Sequence, residues 1–245
     1  IVFHCAGSVR GKTEEELFSI NVTGTYNICQ ACYNRNVKRL IYLSSIATVN
    51  GNSQMPLADN MPYKARNAYG RSKIEAEKIA IEFREKGLPV AIIRPCMVYG
   101  EGEPHALYKI FRAAQKRLIP AIRGSEMDSK LNLVDVNNVV SALALALEKE
   151  EALSGTFIIA DKDAITIRKF LEIVYNELDV GGPPVFPAWM VKFCLVLPPV
   201  KRKFKGLFKD RVYDISRAEK LLGYSPAIST EEGLRRVIRD WKGRK

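Results

Sequence analysis

The sequence predicts an α/β fold: a doubly wound parallel sheet with a small, mostly helical lobe. Three observations predict it. Apolar runs rich in β-branched residues alternate with stretches of helical periodicity, the pattern of repeated βα units. After Gly100 that alternation gives way, and beyond about Thr166 helical periodicity dominates. The chain has 245 residues, 47% of them hydrophobic, which is enough to bury one domain's core plus a small lobe.

Residues 1–5, 39–43 and 89–93 read as strands, and residues 14–34 and 68–85 as helices packed on the sheet. Residues 46–67 carry Gly, Pro and Asn and read as a long loop. A loop of that length inside a compact domain is usually functional. Past Gly100, residues 105–116 are amphipathic, residues 136–148 form a further helix, and residues 157–160 read as a return strand. The later helices are broken by Pro183-Pro184 and Pro198-Pro199. Residues 1–165 are expected to form the sheet domain, with lobe segments interleaved. Residues 166–245 are expected to form mainly the lobe and a C-terminal helix. There are no internal repeats and no low-complexity tracts.

The net charge of +11 is uneven, since residues 201–245 hold 14 Lys and Arg against 6 Asp and Glu. The cluster Lys201-Arg-Lys-Phe-Lys205 follows an apolar stretch containing Phe186, Trp189, Met190 and Phe193. Such a juxtaposition fits peripheral contact of residues 186–205 with an anionic membrane surface. It fits equally a lobe helix with a solvated basic flank. No nucleic-acid motif stands behind the charge. No run of about 18 uncharged apolar residues is present, so no spanning helix is expected. Five cysteines form no disulfide framework. Cys29 and Cys32 lie in a helical apolar pattern without partner His or Cys nearby, so buried reduced thiols and a cytoplasmic setting are expected. No cluster of His, Cys, Asp or Glu has metal-ligand spacing.

The chemistry concentrates in Ala68-Tyr-Gly-Arg-Ser-Lys-Ile-Glu-Ala-Glu77. A spacing of four places Tyr69 and Lys73 on one helix face. A free tyrosine, with a pKa of about 10, is a poor acid–base catalyst near neutrality. A lysine cation and a positively charged nicotinamide ring both favour the phenolate. Reaching a pKa of roughly 7 asks about 4 kcal/mol of them. Alone, Tyr-x-x-x-Lys also arises as an exposed helix turn. The strand Lys38-Arg-Leu-Ile-Tyr-Leu-Ser-Ser45 tips the balance, because ligands of an open parallel sheet lie off the carboxyl ends of its strands. Ser45 therefore meets a substrate oxygen, and the three side chains suffice to move a hydride on or off a secondary alcohol carbon.

With these residues the chain resembles an extended short-chain dehydrogenase/reductase of the NAD-dependent epimerase/dehydratase type, which has a Rossmann-type sheet. Val2-Phe-His-Cys-Ala-Gly7 resembles the family's fourth strand and its turn. Asn21-Val-Thr-Gly-Thr25 resembles its Asn-Val-x-Gly-Thr helix. Arg94-Pro-Cys-Met-Val-Tyr-Gly100 resembles the strand-to-loop passage beside the nicotinamide. Leu131-Asn-Leu-Val-Asp-Val-Asn-Asn138 and Asp214-Ile-Ser-Arg-Ala-Glu-Lys-Leu-Leu-Gly-Tyr-Ser-Pro226 resemble later segments. These matches run in family order over nearly the whole chain. The family's opening Gly-x-x-Gly-x-x-Gly turn has no counterpart near Ile1, so the chain reads as truncated, with the first strands missing. The residue that separates NAD from NADP lies in that part, and the expected cofactor is NAD or NADP.

The resemblance implies that Tyr69 is the general acid–base, and that Lys73 lowers its pKa and bonds the nicotinamide ribose. It implies that Ser45 orients the substrate oxygen, with Ser44 the alternative if the register shifts by one. Asn50 stands where the family has glycine. The resemblance also brings Ala6 and Gly7 close to the cofactor and sets Pro95 along the nicotinamide carboxamide. Asn21 lies near the nicotinamide end, or else bridges backbone groups. His4 is expected to be packed and hydrogen-bonded, His105 to lie in a loop, and Arg94 to anchor backbone or a carboxylate.

Family members that handle nucleotide sugars commonly place an arginine where Leu131 stands, and a paired Asp at Asn137-Asn138. These departures, with the apolar later lobe, point towards the branch resembling hydroxysteroid dehydrogenases and dihydroflavonol reductases. The resemblance thus implies an enzyme, an NAD(P)-dependent dehydrogenase or reductase, acting on a small hydroxysteroid- or flavanonol-like alcohol. A nucleotide-sugar epimerase and a non-catalytic dinucleotide-binding regulator stay open, as does a homodimer.

Overall fold

The computed structural model describes residues 1–11, 13–102, 106–123, 125–187 and 209–244. The main elements, in chain order, are β1 (Val2–His4), α1 (Glu14–Phe18), α2 (Gly24–Asn34), β2 (Leu40–Leu43), α3 (Ala68–Glu85), β3 (Val90–Pro95) and α4 (Ala106–Gln115). They continue with α5 (Val136–Glu148), β4 (Thr156–Ile159), α6 (Ile167–Leu178), α7 (Ser216–Leu222) and α8 (Thr230–Gly243). The chain divides into two compact units. One comprises Ile1–Val98, Asn137–Ala160 and Tyr213–Ala227; the other comprises Tyr99–Val136, Asp161–Val212 and Ile228–Lys245.

In the first unit β1, β2, β3 and β4 form a parallel sheet in that order. Val90, Ala91, Ile92 and Ile93 of β3 are all fully buried, as are Leu40, Ile41 and Tyr42 of β2. Strands covered on both faces become continuous apolar runs rather than alternating ones. Leu40, Tyr42, Val90 and Ile92 pack with Ala76, Ala80 and Phe83 of α3 and Cys29 and Cys32 of α2. Both cysteines are free and buried, as their apolar setting predicts, and burial pushes the Cys29 thiol up to about 12.

The single helix expected over residues 14–34 is interrupted. Thr13 caps α1, its hydroxyl accepting from Glu16 N, and a π turn over Ser19–Thr23 separates α1 from α2. Single π turns inside α-helices are frequent at functional sites. Here the turn carries Asn21, and periodicity could not reveal one extra residue per turn. The long segment after β2 holds a 3-10 turn over Ile46–Thr48 and folds back on itself. Lys64 N donates to Thr48 O at 2.8 Å, and Gly51 N donates to Lys64 O at 2.7 Å.

A buried ion pair fastens this segment to the sheet. Arg94 donates from Nε and a terminal nitrogen to the two oxygens of Glu77 at 2.8 and 2.7 Å, and both side chains are buried. Arg94 also donates to the carbonyl of Asp59 at 2.9 Å and lies 5.5 Å over the ring of Tyr63. The Asp59 carboxylate accepts from Ile158 N in β4, so one loop is tied to two strands.

The second unit has its own core, in which Phe170, Leu171 and Val174 of α6 and Leu234, Val237 and Trp241 of α8 pack with Phe111 of α4. Asp161 organises its polar centre. It accepts from the Tyr99 hydroxyl at 2.9 Å, the Thr230 hydroxyl at 3.0 Å and Asp135 N at 2.9 Å. A short parallel pair of strands joins Val185–Pro187, in the stretch expected to be mainly helical, with Ala121–Arg123. Three-residue strands fall below the length at which alternation can be read. Arg211 brings a second departure. Its backbone bridges to Leu131, with Arg211 N donating to Lys130 O at 2.8 Å. A distant segment is thus paired, backbone to backbone, with the stretch around Leu131.

Among the described residues no helix is long and apolar enough to cross a membrane. Residues 188–208 lie outside the described residues, and with them Trp189, Met190, Phe193, the basic cluster and Pro198-Pro199.

Candidate active site

The strands of the parallel sheet all present their carboxyl ends at one edge. Ala6 and Gly7 leave β1 there, Ser44 and Ser45 leave β2, and Pro95 ends β3 opposite Ile159 of β4. Helix α3 supplies the rest. Asn67 caps it, its side-chain oxygen accepting from Gly70 N at 2.9 Å, so the first turn, which carries Tyr69, starts at a fixed point.

Ser45 and Tyr69 meet. The Ser45 side chain lies near enough to the Tyr69 phenol to lower its pKa, and it accepts from Ala47 N at 3.2 Å. Burial pushes the Tyr69 phenol above its ordinary value, and Ser45 opposes that rise. In the protein by itself, then, the phenol is raised by burial against the pull of Ser45, and the lowering expected from Lys73 does not act on it. The Ser44 hydroxyl is buried and has no hydrogen-bond partner among the described residues. The geometry brings Ser45 rather than Ser44 to the tyrosine.

Lys73 is buried, and its Nζ donates to the carbonyl of Leu43 at 2.9 Å while lying 4.7 Å over the ring of Tyr42. Burial lowers its pKa to about 8, against the opposing pull of Glu77 and Cys5. His4 is packed as expected. It stacks on Tyr42 at 5.2 Å, its Nε2 lies 2.9 Å from the Thr25 hydroxyl, and burial, with Lys73 nearby, lowers its pKa to about 4. A neutral, hydrogen-bonded ring of this kind is packing. His105 lies outside the described residues.

Asn21 bridges. Its side-chain oxygen accepts from Ser8 N at 2.8 Å, and its amide donates to Ser8 O and to the Ser72 hydroxyl, each at 2.9 Å. Gly7 faces the same place: a Cβ there would lie 3.2 Å from Asn21 Oδ1 and 3.8 Å from Lys73 Nζ. An exposed glycine opposite a buried lysine leaves room for a ligand to approach the backbone. These residues fit a dinucleotide's nicotinamide end. Ser45, Tyr69, Lys73, Gly7 and Asn21 therefore share one neighbourhood, Ala6 lies beside Gly7, and Pro95 shares the sheet edge. Among the described residues no group of His, Cys, Asp and Glu could hold a metal ion.

The sequence of the NAD dependent epimerase/dehydratase family matches residues 1–160. The chain belongs to this family. Its cofactor class, a nicotinamide dinucleotide, is the one the sequence predicts. Among the family's curated members, the chain is 28% identical over 249 residues to the UDP-glucose 4-epimerase of Vibrio cholerae, covering 97% of this chain and 75% of that protein. It is 28% identical over 276 residues to the mouse (Mus musculus) sterol-4-alpha-carboxylate 3-dehydrogenase, decarboxylating, covering 98% of this chain and 74% of that protein. The UDP-glucuronic acid 4-epimerase of Bacillus cereus, solved in complex with NAD, shares its fold, with a TM-score of 0.78 at 18% identity over 99% of this chain and 74% of that one. RMD from Pseudomonas aeruginosa, solved with NADPH, does likewise, with a TM-score of 0.78 at 21% identity over 100% of this chain and 80% of that one.

Ser72 and Ser8 escaped the sequence reading of this family member. The signal for Ser72 was present: a hydroxyl next to Lys73 on the inward face of a helix needs a partner when buried.

Proposed function

We propose that this chain is an NAD(P)-dependent oxidoreductase that interconverts a secondary alcohol and a ketone on an apolar, sterol-like substrate. The observation that carries the chemistry is the convergence of Ser45, Tyr69 and Lys73 at the carboxyl edge of the sheet. A nicotinamide dinucleotide, when bound, supplies the hydride acceptor or donor. In the oxidising direction Tyr69, as phenolate, takes the proton of the substrate hydroxyl as the carbinol carbon gives up hydride and the carbonyl forms. In the reducing direction it returns that proton. Ser45 donates to the substrate oxygen, and the Lys73 cation favours the phenolate and lies where a nicotinamide ribose can meet it. Ala6, Gly7 and Pro95 give the cofactor backbone contacts without bulky side chains. Residues 1–165 serve mainly as the cofactor domain and residues 166–245 mainly as the substrate lobe.

The sterol dehydrogenase relatives favour the apolar substrate. The Vibrio relative favours a second reading as a nucleotide-sugar epimerase. The test is full-length protein with NAD⁺ or NADP⁺, given a 3β-hydroxysteroid in one series and UDP-glucose in the other. Reduced cofactor forming with the steroid, and no UDP-galactose from the sugar, is the expected result. UDP-galactose formation without steroid oxidation replaces this reading with the epimerase.

A further inference from the structure

Ser72 stands between Tyr69 and Lys73 on α3. Its residue is fully buried. Its hydroxyl donates to the carbonyl of Tyr69 at 2.8 Å and accepts from the amide of Asn21 at 2.9 Å. Asn21 in turn holds both the N–H and the carbonyl of Ser8, one residue beyond Gly7. The same π turn supplies a second tie, because the Thr25 hydroxyl donates to Asn21 O at 2.6 Å and meets His4 of β1. A continuous path of hydrogen bonds therefore runs from the loop after β1, through Asn21 and Ser72, to the peptide that carries Tyr69.

We infer that Ser72 is a positioning residue, which through Asn21 holds the Tyr69–Lys73 turn of α3 in register with the loop at Gly7. The helix does not need this hydroxyl. The backbone bonding of its first turns is intact, and Asn67 already caps its start. A serine hydroxyl bonded back to the i−3 carbonyl slightly weakens a helix on its own account. What the hydroxyl adds is tertiary. It is the acceptor for the one Asn21 proton not used on Ser8, and a buried amide left without that acceptor costs free energy. The acceptor, on the residue directly before Lys73, is held in turn by its own bond to the Tyr69 carbonyl. Displacements of about 1 Å far from reacting atoms can lower rates by roughly 10²-fold. A tie of this kind therefore acts on turnover more than on folding.

The inference rests on the assignment of Tyr69 and Lys73 above, and its test separates the two. Full-length Ser72→Ala, Ser72→Cys, Asn21→Ala and the double variant are compared with wild type. Measurements are affinity for NADH and NADPH by fluorescence, thermal melting, and kcat against pH with whichever of 3β-hydroxysteroid or UDP-glucose is turned over. In Ser72→Ala we expect kcat to fall about tenfold, cofactor affinity to fall several-fold, and the acid limb of the kcat profile to move to higher pH. Ser72→Cys, nearly isosteric and still a weak acceptor, should lie between alanine and wild type, and it replaces the alanine variant if that one fails to fold. The double variant should be no slower than Asn21→Ala alone, because both changes cut one path. Wild-type kcat and pH limb in Ser72→Ala, or effects of the two changes that multiply, overturn the inference. Turnover of neither substrate by wild type counts against the substrate reading only. Affinity for NADH or NADPH, whichever wild type binds, then decides: weakened in Ser72→Ala supports the tie, unchanged in Ser72→Ala overturns it.

Discussion

A Cβ added to Gly70 would lie 2.7 Å from the carbonyl oxygen of Ala47, closer than a carbon and a backbone oxygen can stand. Ala47 follows the strand exit that bears Ser45, and Gly70 follows Tyr69. The close approach of these two backbones is what lets the Ser45 hydroxyl reach the phenol.

Gly70→Ala is the sharpest test of that contact, because two effects oppose. On an ordinary helix the change stabilises by roughly 1 kcal/mol. Here the blocking atom is backbone, and overpacking of this kind costs about 1–3 kcal/mol. The clash should win: the expected outcome is lower thermal stability and a fall in kcat of tenfold or more. A variant that melts higher than wild type with full activity would show that the approach is slack.

Tyr69→Phe should lower turnover by 10²-fold or more while leaving cofactor affinity within a few-fold. The lost hydroxyl is the proton relay, whose usual worth is about 10²–10⁴. Turnover near wild type would transfer the chemistry to another group and leave a binding module.

The pH dependence of turnover should have an alkaline limb near Lys73's pKa of about 8. Burial lowers that pKa, so the cation that favours the Tyr69 phenolate is present below pH 8 and is lost as pH rises through it. Lys73→Arg, which cannot deprotonate, should lose that limb even where its kcat is lower. An alkaline limb retained in Lys73→Arg would belong to a different group.

Much of the sheet, and the convergence of the candidate side chains at its carboxyl edge, was legible because each leaves a periodic or spaced trace. Helix α3 is continuous and apolar on one face, and its Tyr-x-x-x-Lys spacing survives any error in register. The polar tie through Asn21 was legible only as a pair of possibilities, since a motif residue can face ligand or backbone. The structure gives it Ser8 and Ser72 as partners, 13 and 51 residues away in sequence. Arg211 beside Leu131 failed for the same reason, because a contact made by tertiary folding has no local spacing to read. The Tyr69 pKa could not be judged from its cationic neighbours alone, since burial acts on it from every side.

The Arg94–Glu77 pair should be destabilising to break and cheap to replace whole. Leaving either charge buried alone costs about 3–5 kcal/mol, whereas an apolar pair of similar volume often matches an ion pair. Arg94→Met and Glu77→Leu are each expected to lower stability by that amount in denaturant melts, and the double variant to regain most of it. The regain should be incomplete, because Arg94 also holds the carbonyl of Asp59. Singles within about 1 kcal/mol of wild type would mean that water reaches the pair.

Asp59, at the far end of that network, gives the stability its own pH signature. Burial raises its carboxyl from 3.8 to about 6, against the opposing hydrogen bond from Ile158 N and the nearby Arg94 and Arg217. The folded protein therefore binds the proton more tightly than the unfolded chain does. The stabilisation from this group is full below pH 4 and is lost as pH rises through 6. Between those limits the change is on the order of 3 kcal/mol. Asn keeps an oxygen for Ile158 N and carries no charge, so Asp59→Asn should remove this dependence. The difference in unfolding free energy, variant minus wild type, should grow in the variant's favour from pH 4.5 to pH 7. A difference that is flat, or that grows towards acid, would show that Asp59 stays ionised in the fold, with Arg94 and Arg217 outweighing its burial.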